Sequence, residues 1–197
     1  GPSVAWRSTQ TASDEVIAWV PHASGTGILS SSIGVALMGV NFEQSHFEGR
    51  LTGTATWVTI LSLDTNTADI NPGTLLYTIT GDWVSPSVGT SAGSRFIEAD
   101  ELVGGYVVLE STGADVVASV KHNSGGVWRA PGTARHVELL VEGAGSISTP
   151  SAIRFIPPNI SGVAHNVLSS YDAYRLRIPG AQPTREGYYK IGAIVIG

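Results

Sequence analysis

Apolar and polar positions alternate along most of this chain, and almost no stretch repeats at helical spacing, so the pattern predicts strands. Residues 15–20 form one such run, closed by Pro21. Residues 33–40 form a second that ends at Asn41-Phe42, with a Gly-rich loop over 22–27 between the two. Residues 44–51 read as a short strand with polar edges. Beyond them, residues 54–63, 75–80, 105–110 and 116–120 are rich in β-branched and aromatic side chains, which favour a pleated, half-buried surface. Turn-rich segments at 64–73, 86–93, 111–113 and 123–126 separate these runs. Residues 135–142 alternate until Gly143, and residues 153–156 stop at Pro157-Pro158. Only residues 95–103, which contain Glu98, Asp100 and Glu101, predict a short helix.

The rest of the fold is expected to organise around the last stretch. Residues 174–178 and 188–196 both read with period two and are joined by a segment containing Pro179, Gly180, Pro183 and Gly187, which predicts an antiparallel pair. In the first run Tyr174, Leu176 and Ile178 share one face while Arg175 and Arg177 share the other, so one side is expected to be buried and one solvated. The second run has hardly a polar side chain and suits a strand covered on both faces. A chain that stops one residue later is expected to be part of something longer. Gly1-Pro2-Ser3 reads as the remnant of tag removal. Residues 4–197 are therefore expected to form a single antiparallel all-β domain.

Composition narrows the partners. Charged residues are 14% of the 197, against about 25% in ordinary domains, and hydrophobic residues are 42%, a globular balance. The 24 Gly and 10 Pro favour short strands and tight turns. A formal net charge of -5 with no basic cluster argues against a nucleic-acid partner. No run of about 18 apolar residues is long enough for a helical membrane span. With no cysteine, disulfides, thiolate metal sites and cysteine nucleophiles are all excluded.

Several short stretches then combine. Trp6-Arg7-Ser8-Thr9, the run through Trp19, the apolar run ending at Asn41-Phe42, and the closing runs with Tyr188-Tyr189 ahead of Ile191-Gly192 resemble discoidin-like (galactose-binding-like) jelly-roll domains. More narrowly, they resemble the versions embedded in tail and baseplate proteins of long-tailed bacteriophages. The resemblance covers the first 50 residues or so and the last 25. It implies a β-sandwich whose chain ends lie close together, with a β-rich insertion expected within 63–103. It also implies a virion location, a rim that contacts carbohydrate on a host surface, or neighbouring tail subunits as partners in a homo-oligomer such as a trimer.

Sugar binding needs an aromatic platform and fixed polar groups. Trp6, Trp19 and Trp57 sit in strand-like runs and read as core. Trp83 and Trp128 stand in turn-rich surroundings and are the expected platforms, with Asp82, Arg95, Asn123 and Arg129 as polar neighbours. Asp64, Asn66 and Asp69 could offer hard oxygen ligands to calcium, although their spacing is not that of an EF-hand and Asp and Asn are ordinary turn residues. The G-x-S-x-G pattern at 89–93 lacks the uninterrupted strand a nucleophile elbow requires, so Ser91 reads as a chance match. The five histidines, His22, His46, His122, His136 and His165, form no metal-binding pair at helical spacing. The acidic group at 98–101 reads as a solvated turn. A non-enzymatic module is the expectation, with a glycan hydrolase the least favoured alternative.

Overall fold

A computed structural model describes residues 6–19, 28–29, 32–64, 83–84, 96–110, 113, 115–127, 139–142, 152–165, 167 and 170–197. Among them the chain is all-β, every strand pairing is antiparallel, and no helix occurs. It falls into two compact units: residues 1–64, 159–182 and 188–197, and residues 65–158 and 183–187. The chain thus leaves the first unit after Asp64 and returns to it at Asn159.

The first unit holds β1 (Trp6–Arg7), β2 (Glu15–Trp19), β3 (Ile28–Leu29), β4 (Ser32–Met38), β5 (Gln44–Leu51) and β6 (Trp57–Asp64). After the second unit's strands, numbered β7 to β13 below, it resumes with β14 (Asn159–His165), β15 (Ser170–Ile178), β16 (Lys190–Ile191) and β17 (Ala193–Ile196). One sheet runs β2-β15-β5-β6, with β3 also on β15; a second runs β14-β4-β17; β1 pairs β16. Strict alternation builds the interior between the two larger sheets. Ile33, Val35 and Leu37 of β4 and Ile160 of β14 point inward to meet Phe47, Leu63, Tyr174, Leu176 and Ile178. Burying each aliphatic side chain of this kind stabilises by about 1.5–3 kcal/mol. Phe47 stacks on Tyr174 with ring centroids 5.4 Å apart, and Phe42 meets the fully buried Tyr189 edge-on at 5.9 Å. This unit is a two-layer β-sandwich.

The meeting of chain start and chain finish is observed. Tyr174 lies opposite Trp19, Ile194 opposite Leu37 and Trp6 opposite Ile191. Side chains lock the junction. The buried Asn41 amide donates to Tyr188 O at 2.8 Å while its oxygen accepts from Lys190 N at 2.8 Å. Ser8 Oγ accepts from Tyr189 N at 2.8 Å, and Ser8 N donates to Tyr189 O at 2.9 Å. Trp6 packs against the core as expected.

Three expectations are corrected. The closing runs do not pair with each other: β15 lies between β2 and β5, and β17 pairs β4 in the other sheet. Gln182, in the connection, is held by Gln44 and Pro179, and Gly192 N donates to Met38 O at 2.7 Å, so the run after residue 188 is drawn to β4. Second, β17 is not covered on both faces; among the described residues it ends its sheet, and Val195 and Ile196 remain 51% and 42% exposed. Third, residues 95–103 are not helical where described. After the short strand at 96–97 the chain makes consecutive reverse turns, with Glu101 N bonded to Glu98 O and Val103 N to Asp100 O at 3.2 Å each. Asp100 at φ 61° and Gly104 at φ 87° are left-handed, a conformation no right-handed helix can pass through.

The second unit contains β7 (Trp83–Val84), β8 (Phe96–Ile97), β9 (Tyr106–Glu110), β10 (Val116–Asn123), β11 (Gly126–Val127), β12 (Leu139–Glu142) and β13 (Ala152–Ile156). Its five-stranded sheet runs β13-β9-β10-β12-β7, and β8 pairs β11. Tyr106, Val108, Val117 and Ile156 form one buried cluster there, and Val107, Leu109, Ala118, Val120, Leu139 and Val141 are buried as well.

Candidate functional site

The outward positions of β5 are Gln44, His46, Glu48 and Arg50, because Phe47 and Gly49 face the interior. On β15 the outward pair is Arg175 and Arg177. Antiparallel register sets Arg175 directly opposite Glu48 and Arg177 opposite His46, while on the next strand Trp57 lies opposite Arg50. The side chains of one row are therefore within reach of each other.

Glu48 is the hub. Its two oxygens accept separate bonds, from Arg175 Nε at 2.6 Å and Arg177 Nε at 2.9 Å, and the residue is only 5% exposed although it points away from the core. Burial works to raise its proton affinity, but the hydrogen bonds and charges of the two guanidiniums outweigh it and hold the carboxyl below the ordinary glutamate range. Arg177 also donates Nη1 to Asp14 Oδ2 at 3.0 Å, while Gly180 N donates to Asp14 Oδ1 at 3.0 Å. That backbone bond, then Arg177, keeps Asp14 below its ordinary value. A second pair flanks the first: Arg50 Nε donates to Asp172 Oδ1 at 2.7 Å and Gly53 N to Asp172 Oδ2 at 3.2 Å. His46 Nδ1 and Ser62 Oγ lie 3.3 Å apart. The Arg175 guanidinium stacks 4.3 Å from the Trp57 ring. The result is a plane of alternating guanidinium, carboxylate and indole groups, each fixed by its neighbour.

Trp57 is therefore not the core residue its strand suggested; it is half-buried and stands on the outer face with Arg175. The alternation within each strand was visible in the sequence. What it could not show was that β5 and β15, more than a hundred positions apart, lie side by side.

The sequence-derived candidates lie elsewhere. Trp83 has a described backbone, opposite Leu140, but its side chain lies outside the described residues, as do Asp82, Arg95, Trp128 and Arg129. Asn123 is wholly buried and serves the loop above it: its oxygen accepts from Leu102 N at 2.9 Å and its amide donates to Glu98 O at 2.8 Å and Ser124 O at 2.9 Å. With oxygen and amide engaged inward, it offers nothing to a ligand. The Asp64 backbone ends β6 opposite Gln44, and its side chain lies outside the described residues together with Asn66 and Asp69, so calcium has no described ligands to test. Ser91, His22 and His136 are likewise outside them. The acidic turn is occupied locally: Glu101 Oε2 accepts from Glu98 N at 2.9 Å and Asp100 pairs with His122. In the second unit an open groove of about 290 Å³ is lined, among the described residues, by Lys121, Leu140, Val141 and Glu142, with no aromatic side chain among these and with Lys121 bound to Glu142 at 2.5 Å. Comparison with protein-family models, curated proteins and solved structures finds no match to this chain.

Proposed function

We propose that the chain is a non-enzymatic, discoidin-like jelly-roll module of a bacteriophage tail or baseplate, and that it holds a host-surface glycan against the outer face of the sheet containing β5 and β15. The observation that carries this reading is the Trp57 indole set beside a fixed row of Arg50, Asp172, Arg175, Glu48 and Arg177. An indole offers the apolar face of a pyranose a platform, and planar guanidinium and carboxylate groups match its hydroxyls. Because these side chains already hold one another, little ordering entropy is lost on binding. Glu48 is clamped as an anion between two guanidiniums and is a poor proton donor, which supports binding over hydrolysis.

The test is a tryptophan-fluorescence titration with polysaccharides extracted from candidate host surfaces. Trp57→Ala should abolish a saturable response while leaving the melting curve cooperative, and Trp57→Phe should keep part of it. Binding that survives Trp57→Ala but is lost in Trp83→Ala or Trp128→Ala would move the site to the second unit. A second reading, a structural tail domain that docks neighbouring subunits, is favoured by the exposed apolar side chains of β17.

A further inference from the structure

The three strands of the β14-β4-β17 sheet contain a single ionisable side chain, His165, in a protein whose net charge is -5. Their outward positions are Ser32, Gly34, Ala36 and Met38 on β4, Asn159, Ser161, Val163 and His165 on β14, and Ala193 and Val195 on β17. Met38, Val163 and Val195 are exposed. Among the described residues β17 ends the sheet, and its sequence Ala-Ile-Val-Ile carries no charge, no proline and no bulge, the devices by which natural edges avoid pairing. The neighbouring edges are different. Strand β14 follows Pro157-Pro158 and ends in His165, while β2 opens with Glu15.

Which backbone groups β17 offers follows from its register. Gly34 N donates to Gly197 O at 2.7 Å and Gly197 N to Gly34 O at 3.0 Å, so this pair exchanges both bonds. Antiparallel alternation then turns the Val195 N–H and C=O toward β4, and those of Ile194 and Ile196 toward the free edge. The edge reads Ile-Val-Ile, the same in both directions about Val195.

We propose that β17 pairs antiparallel with β17 of a second copy of this chain across a two-fold axis at Val195. Ile194 and Ile196 of each copy exchange main-chain hydrogen bonds with Ile196 and Ile194 of the other. Val195 faces Val195 as the closely spaced, non-hydrogen-bonded pair. The occupant is a second copy because the edge is self-complementary, and because two acidic chains repel least where neither carries charge. The pairing does not depend on the glycan face, which lies on the other sheet.

The chain has no cysteine, so Val195→Cys introduces the sole thiol. Under mild oxidation it should give a disulfide-linked dimer whose rate of formation is insensitive to dilution over the range where the native protein sediments as a dimer. Val16→Cys, exposed on the other sheet, should cross-link only slowly and in proportion to concentration. Sedimentation should show the native mass doubling with concentration, and Val195→Lys should hold a single-chain mass and melt where the native protein melts when diluted to a single chain. A native protein that stays a single chain at its highest soluble concentration, a trimer, or equal cross-linking by Val195→Cys and Val16→Cys would overturn the proposal.

Discussion

On the outer face of β5 and β15 stand His46, Glu48, Arg50, Arg175 and Arg177; on the outer face of β4, β14 and β17 stand Ala36, Met38, Ser161, Val163 and Val195. Both sheets meet the same inward demand, since Leu37 and Leu176 are each fully buried in one cluster. The difference is confined to positions the core does not dictate. A solvated sheet ordinarily alternates apolar and polar side chains, as β5 and β15 do. The other sheet sets small, apolar and uncharged polar side chains outward, with His165 its single ionisable group. The proposed glycan face and the proposed pairing edge therefore lie on two sheets whose outward positions differ in this way.

The strongest way to separate the sheets energetically is through their inward glycines. A methyl group on Gly49 of β5 would overlap the Tyr171 ring and lie 2.8 Å from Ile60 Cδ1, and that ring packs 6.0 Å from Tyr174 in the core. On Gly162 of β14 the nearest atoms to the methyl group would be Leu61 and Leu63 methyl groups at 3.1–3.3 Å, which can yield by a few tenths of an ångström. Gly49→Ala should therefore destabilise by about 3 kcal/mol and Gly162→Ala by less than about 1 kcal/mol, read from urea midpoints. Equal losses would mean that the interior is not shared in the way these contacts require.

The next contrast is electrostatic. Glu48→Gln leaves two guanidiniums facing a neutral amide; with Arg175 and Arg177 retaining 24% and 28% side-chain exposure, the loss should be about 2 kcal/mol, below the ~3–5 of a fully buried pair. Because Glu48 is more acidic folded than unfolded, its contribution is complete above the unfolded value near pH 4.3 and disappears as pH falls through its lower folded value. Native protein should lose stability on acidification below about pH 4.3, and Glu48→Gln should lose less over the same window. A variant with the same acid slope as the parent would place the acid sensitivity at Asp14 or Asp172 instead, both also held below their ordinary values.

Much of this was legible in the chain, and what was not has a local and a long-range cause. Runs such as 44–51 announced their strands through period-two alternation, and β5 occupies those residues. Strand β14 was missed: Asn-Ile-Ser-Gly-Val-Ala-His holds a strand-weakening glycine that is there because Leu61 and Leu63 approach closely. The pairing of β15 with β5 and of β17 with β4 depends on contacts across most of the sequence, which local alternation does not encode. The charged face was invisible for that reason, and Trp57 read as core because its flanking Thr56 and Val58 do not reveal which way a strand edge is turned.

The smallest effect tests the same boundary from inside. Ser45 lies on the inward face of β5 opposite Leu63, fully buried, and its Oγ has no hydrogen-bond partner. An unpaired buried hydroxyl costs about 1–3 kcal/mol relative to solvent, whereas removing one oxygen leaves a void much smaller than a lost methyl group's neighbourhood. Ser45→Ala should be neutral or stabilise by up to about 1 kcal/mol, while Ser161→Ala, exposed on β14, should change nothing measurable in the same denaturant titration. If Ser45→Ala destabilised by more than about 1 kcal/mol, the hydroxyl would have to be satisfied, and a polar contact would run through the layer that the two sheets otherwise share as purely apolar.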